Sequence, residues 1–183
     1  MRELALNILD IAENSLAAGA KLIEIVLGVY REKDEMSIMI RDDGCGMDKD
    51  TLSRVTDPFT TSRTTRSVGM GIPLFKFSAE SAGGTFSIFS ERGKGTKVLA
   101  TYRISHIDRM PLGDFGGVIL QLVTMNEKVD FLVTVKSSER QETLDTREVR
   151  NILGEVSFRE PQVRAFLKEY IQENLVSVYG GRL

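Results

Sequence analysis

Apolar residues return at helical spacing from Glu3 to Ala18, with Leu4, Ile8, Ile11 and Ser15 on one stripe, which predicts an amphipathic helix. Gly19 is suited to the cap that ends it. On this helix Asn7, Asp10 and Asn14 share a second face. Period-two alternation follows from Leu22 to Tyr30, placing Ile23, Ile25, Leu27 and Val29 on one side of a strand. The polar Arg31 to Glu35 turns the chain into a second strand, Ser37 to Arg41, which delivers Asp43 to a loop. Asp48 to Val68 is largely polar and predicts one short helix at most, then a lid-like segment containing Asp57-Pro58-Phe59-Thr60-Thr61-Ser62-Arg63.

Helical character resumes at Gly71 to Ala82, where Pro73 is tolerated because the first turn needs no N–H from it. Gly83-Gly84 ends that helix, and two strands follow, Thr85 to Ser90 and Lys97 to Ile104. After a break at Arg109 to Gly113, the apolar runs Val118 to Thr124 and Val129 to Val135 predict a hairpin extending the same sheet. Two helices close the chain. Asp145 with Glu148 forms a capping-box-like start, and Pro161 opens a run whose Val163, Phe166, Leu167, Tyr170 and Ile171 line one face. That stripe must be buried, against its own domain or against a second subunit or partner.

Composition narrows the classes. A length of 183 residues suits one large domain or a domain with an extension. Lys+Arg 24 against Asp+Glu 26 gives a net charge of −2, so no global field draws the chain to nucleic acid or an anionic membrane. One cysteine cannot form an intramolecular disulfide, and neither a signal-peptide pattern nor a run of membrane-spanning length occurs, which points to the cytoplasm.

Four short features then fall in one order: Asp10-Ile11-Ala12-Glu13-Asn14-Ser15, Asp43-Gly44-Cys45-Gly46-Met47, Gly69-Met70-Gly71-Ile72, and Gly95-Thr96. The order resembles the GHKL family of gyrase, heat-shock chaperone, histidine kinase and MutL-type ATPases over residues 1 to 105. The resemblance implies an α+β fold, a two-layer α/β sandwich of the Bergerat ATP-binding type. Helices would cover one face of a mixed, mainly antiparallel sheet, with residues 106–183 as a C-terminal extension made of a sheet-extending hairpin and two helices. It also implies ATP and Mg²⁺ as cofactors. Asn14 would supply an amide oxygen to the metal, a hard cation that keeps several waters, and Asp10 stands where the family's ATPases carry a water-activating glutamate. Aspartate is one methylene shorter, which implies slow hydrolysis. Asp43 would accept from the exocyclic amine of adenine, Gly44 and Gly46 would let the backbone pass close to the base, and Thr96 would join the aspartate there. Cys45 reads as a small buried filler beside the base. Gly69, Met70, Gly71 and Ile72 would form the second glycine box, where N–H groups and the next helix receive phosphate.

The branch of the family is split. Asn14-Ser15-Leu16-Ala17-Ala18-Gly19-Ala20 is similar to the MutL-type helix end, whereas the lid segment and Gly83-Gly84-Thr85 resemble histidine kinases, with Arg63 near the place of a phosphate-touching lysine. The single histidine, in Ser105-His106-Ile107-Asp108-Arg109-Met110-Pro111-Leu112, echoes a phospho-acceptor box but reads as a loop residue, since Ile107 follows it and Gly113, Gly116 and Gly117 oppose a long helix. The expected function is an ATP-dependent switch or weak Mg-dependent ATPase. The alternatives are a stand-alone protein kinase of the anti-sigma-factor type acting on a serine or histidine of a partner, and a non-catalytic nucleotide-binding module. A protein partner or a homodimer is expected in each case.

Overall fold

The computed structural model describes residues 3–56, 70–181 and 183. The first helix, α1 (Leu4–Ala17), begins without a side-chain cap at Glu3. Its opening N–H groups are satisfied from far along the chain, Leu4 N donating to Pro111 O (2.9 Å) and Ala5 N to Leu112 O (2.8 Å). Gly19, with φ +73°, ends it in the left-handed conformation that the sequence suggested.

Alternation governs the sheet. In β1 (Leu22–Tyr30), Ile23, Ile25, Leu27 and Val29 are buried; in β2 (Glu35–Asp42), Met36, Ile38, Ile40 and Asp42 are. The antiparallel register sets Ile25 opposite Ile40 and Ile23 opposite Asp42, so these side chains share one face. A short α2 (Lys49–Arg54) follows, then α3 (Gly71–Ser81), β3 (Phe86–Glu91) and β4 (Gly95–Arg103). In β4, Val98, Ala100 and Tyr102 continue the buried face.

The expected hairpin at 118–135 is not formed. Phe115–Met125 is a helix, α4, opened by the Asp114 carboxylate accepting from Gly117 N at 2.8 Å. Gly116 and Gly117 lie in its first turn, where Gly116 allows close approach: a Cβ there would stand 3.2 Å from Val176 Cγ2. The sheet is extended instead by β5 (Asp130–Lys136) and β6 (Gln141–Asp145). β5 lies parallel to β1 and antiparallel to β6, giving one six-stranded sheet in the order β3-β4-β2-β1-β5-β6. The sheet is mixed, mainly antiparallel and open, and the fold is α+β.

Then come α5 (Thr146–Leu153), capped by Asp145 through Arg147 N, and α6 (Pro161–Tyr170), continued by the turns Ile171–Leu175 and Val176–Tyr179. Val163, Leu167, Ile171, Leu175 and Val176 are buried in the same apolar core as the sheet, α1, α3 and α4. Phe166, expected on that stripe, is exposed. Among the described residues no helix is long and apolar enough to cross a membrane.

Candidate functional site

A cavity of about 270 Å³ opens where α1, the ends of β2 and β4, the loop after β2 and the start of α3 converge. Its walls are largely apolar, with Ile11, Ile40, Val98 and Ile72 among them. Its floor carries one carboxylate, Asp42.

The parity of β2 explains that carboxylate. Met36, Ile38 and Ile40 point inward, and Asp42 is the next inward position, only 8% exposed. Burying a carboxylate requires partners, and three are present. Asp42 Oδ1 accepts from Gly44 N (3.0 Å) and Thr96 N (3.2 Å), while Oδ2 accepts from Ser15 Oγ at 2.7 Å. Thr96 lies directly opposite Asp42 in the β2–β4 register, and Ser15 reaches it from the inward stripe of α1. Among the described residues only Ser15 donates to Oδ2, which has a second lone pair for an occupant.

Asp43 has the opposite parity and stands outside the cavity, which corrects the expectation that it faces the base. Its Oδ1 accepts from Lys21 N (2.7 Å) and Leu22 N (2.9 Å), tying the loop to the start of β1. Burial alone would raise its carboxyl pKa, but those N–H bonds hold it below the ordinary carboxylate value.

Of the other expected residues, Asn14, Gly46, Met47, Ile72 and Thr96 line the cavity. Gly44 serves through its N–H. Gly46 has φ +63°, and a Cβ there would overlap the Glu91 carbonyl oxygen, so this loop can lie against the β3–β4 turn only as glycine. Cys45 borders the cavity but is exposed rather than buried; its N donates to Ala18 O (2.9 Å) and its O accepts from Gly93 N (2.7 Å). Asp10 is not part of the lining. It sits one turn before Asn14, against the start of α3, where a Cβ on Gly71 would stand 3.0 Å from the Asp10 Cβ. Partial burial raises its carboxyl pKa. Met70, at the N-cap of α3, is exposed. Gly69 and the segment Asp57 to Arg63 lie outside the described residues.

Three residues were missed by sequence reasoning: Asp42, Ser15 and Ser90. Asp42 could have been found by continuing the β2 alternation two residues past Ile40. Ser15 occupies a core position on the α1 stripe, where a hydroxyl needs a polar partner. Ser90 has no comparable signal, because its role depends on pairing opposite Thr96. Ser90 Oγ accepts from Met47 N (2.8 Å), lies 3.1 Å from Gly95 O as a donor, and is 2.9 Å from Thr96 Oγ1.

His106 is remote from all of this. From Thr96 to Arg103 the chain runs seven strand steps, about 23 Å at ~3.3 Å each, and His106 follows in the turn beyond, its Nδ1 accepting from Asp108 N at 3.2 Å. It stays a loop histidine.

A putative sensor protein of Shewanella frigidimarina is 28% identical over 109 residues, 59% of this chain and 16% of that protein. Sporulation kinase E of Bacillus subtilis is 29% identical over 96 residues, 52% of this chain and 13% of its own length. The chain therefore spans under a fifth of these curated relatives. Among solved structures, the N-terminal domain of a DNA repair protein superposes with a TM-score of 0.59 at 17% identity, covering 87% of this chain and 59% of that one. The MutL ATPase domain of Aquifex aeolicus complexed with ADP gives 0.50 at 14%, covering 92% and 69%. At such identities these two show a shared fold. The model of the histidine kinase-, DNA gyrase B- and HSP90-like ATPases matches residues 1–106, more than half of the chain, and the chain belongs to that family.

Proposed function

We propose that the chain binds ATP in this cavity and acts as a nucleotide-dependent switch or weak Mg-dependent ATPase. One observation carries the reading: a buried carboxylate, fixed by three donors and keeping one lone pair open, sits beside a hydroxyl at the floor of an apolar cavity. A flat base with an amine edge suits that floor, since the amine would donate to Asp42 Oδ2. Guanine would place an oxygen there, leaving two acceptors face to face.

Among the described residues no group of three or more His, Cys, Asp and Glu could hold a metal ion. A Mg²⁺ would be held on the protein side by the Asn14 amide oxygen, and bound there it would neutralise phosphate charge. Gly71 and the start of α3 would receive phosphate through backbone N–H groups. Asp10, next to Gly71, would orient or deprotonate a water at the phosphate end. Its raised pKa gives it more basicity than an ordinary aspartate, and its short side chain keeps turnover slow.

The similarity to a sensor protein and a sporulation kinase favours a second reading, in which the γ-phosphate passes to a partner protein's serine or histidine. Incubation with γ-labelled ATP separates the two. Phosphate release by the protein alone supports the ATPase, label on a partner supports the kinase, and saturable binding with neither identifies a nucleotide-binding module. A partner or a second subunit belongs to each reading.

A further inference from the structure

A second cavity, about 530 Å³, opens at the other end of the sheet from the nucleotide cavity. Along β2, Asp42 pairs with Thr96 at one end and Glu35 with Arg103 at the other, about 23 Å apart at ~3.3 Å per strand step. The second cavity adjoins the Glu35 end. Arg31 and Arg109 line it together with Ile104, Pro111, Leu112 and Tyr179. Backbone carbonyls hold both guanidiniums: Arg31 Nη2 donates to Tyr179 O (3.0 Å), Arg109 Nε to Ile104 O (2.8 Å) and Arg109 Nη1 to Met110 O (3.0 Å). Neutral carbonyls fix these side chains without cancelling their charge. Asp34, the carboxylate that attracts Arg109, is engaged elsewhere, accepting from Ser105 N (2.7 Å) and Ser105 Oγ (2.6 Å), with Arg103 Nε 3.4 Å away. Burial and the like charge of Arg31 outweigh Asp34 and hold the Arg109 pKa below its usual value. Arg109 keeps further N–H groups without an acceptor among the described residues.

We propose that Arg31 and Arg109 form a second binding site, for the dianionic phosphate group of a small molecule, separate from the nucleotide cavity. Two guanidiniums match two negative charges, and their planar N–H forks suit phosphate oxygens. Ile104, Pro111 and Leu112 add an apolar wall, so a phosphate ester with an apolar body fits this cavity better than a bare ion. The site binds its ligand without transforming it. Among the described lining residues Tyr179 alone carries a hydroxyl, and burial pushes that phenol up to about 12, so no lining side chain serves as a nucleophile or general base. The loop after Arg109 supplies Pro111 O and Leu112 O to Leu4 N and Ala5 N. A bound ester would thus brace the start of α1, the helix that carries Asp10 and Asn14, and act as an effector.

The test is calorimetric titration of the full chain with phenyl phosphate, inorganic phosphate and benzoate, in excess Mg·ADP so that the nucleotide cavity is filled. Phenyl phosphate should bind saturably, and Arg31→Gln and Arg109→Gln should each weaken it by roughly 10- to 100-fold, the range for one charged hydrogen bond. Phenyl phosphate tighter than inorganic phosphate assigns the site to an organic ester and equal affinity assigns it to the free ion; either supports the site. No saturable binding, variant affinities within about threefold of wild type, or benzoate as tight as phenyl phosphate overturns the proposal. Binding seen only when Mg·ADP is omitted also overturns it, since the phosphate would then occupy the nucleotide cavity. Should Arg109→Gln fail to melt cooperatively, Arg31→Gln, at an exposed position, decides alone. A chain that binds no ADP removes the nucleotide reading, and the two arginine variants still decide this one.

Discussion

Asp42 and Asp43 are neighbours with opposite duties, and the difference is one of strand parity. Asp42 continues the inward series Met36, Ile38, Ile40, whereas Asp43 turns back to clamp Lys21 and Leu22. Asp42→Ala should therefore remove nucleotide binding by at least about tenfold, because a charged hydrogen bond to the base is lost. Asp43→Ala should leave affinity unchanged and lower stability by about 1–2 kcal/mol, the order expected for losing charge-assisted bonds at a partly solvated site. Melting and titration of both proteins check this together. The Asp43 contribution also has a pH signature: its folded pKa is depressed, so its stabilisation is full above the ordinary carboxylate value and fades as pH falls through the folded one. Asp10 has the opposite sign. Burial raises its folded pKa, so its charged form opposes folding at neutral pH and that opposition disappears as pH falls through the raised value. Asp10→Asn should raise the melting temperature at pH 7 but not in acid, keep nucleotide binding, and abolish slow turnover. Unchanged turnover would leave Asp10 as a half-buried helix acid with no part in hydrolysis.

Elements were legible where the periodic signal and the local chemistry agreed. The boundaries of β1, the α1 stripe with its glycine stop, and the Asp145 and Pro161 helix starts all stand in the structure. α4 failed because Val118 to Thr124 is apolar but for Gln121 and Thr124, and so short an apolar run has no readable period. Asp114 caps that helix, and contacts with residues far along the chain override the strand propensity of its valines and isoleucine. The loop after β2 was legible in kind, as a glycine-softened turn, but not in register, so the pocket carboxylate was placed one residue late. Gly46 carries this loop. Gly46→Ala must adopt the left-handed region, at a cost of roughly 1–2 kcal/mol, and also push the Glu91 carbonyl away, so stability and nucleotide affinity should fall together. Gly93 is the control: its φ is +81°, but its Cβ would meet nothing within 4 Å, so Gly93→Ala should cost the backbone term alone. Equal losses in the two proteins, measured by melting, would show that contact with the β3–β4 turn is unimportant.

At the scale of the molecule, the sequence told where the family's motifs end but not how the rest joins them. β5 pairs in parallel with β1, a contact across more than a hundred residues that no local pattern announces, and it places β1 in the sheet interior. Phe131, Val133 and Val135 then share a core with Ile23, Ile25 and Leu27, and Leu167, Ile171 and Leu175 close it. A chain ending at Gly154 should consequently lose cooperative melting and scatter light, although every residue of the proposed nucleotide site precedes it. A shortened protein with an unchanged melting curve and unchanged affinity would contradict an integral role for the C-terminal helices.

The cavity over Asp42 is proposed as an adenine nucleotide site. Calorimetric titration of the wild-type chain with Mg·ATP and Mg·GTP under identical conditions tests it most directly. The structure predicts saturable binding of one ATP per chain, with affinity for GTP lower by roughly 10- to 100-fold because O6 would oppose the fixed carboxylate. Equal affinity for the two nucleotides, or no saturable binding of ATP, would contradict it.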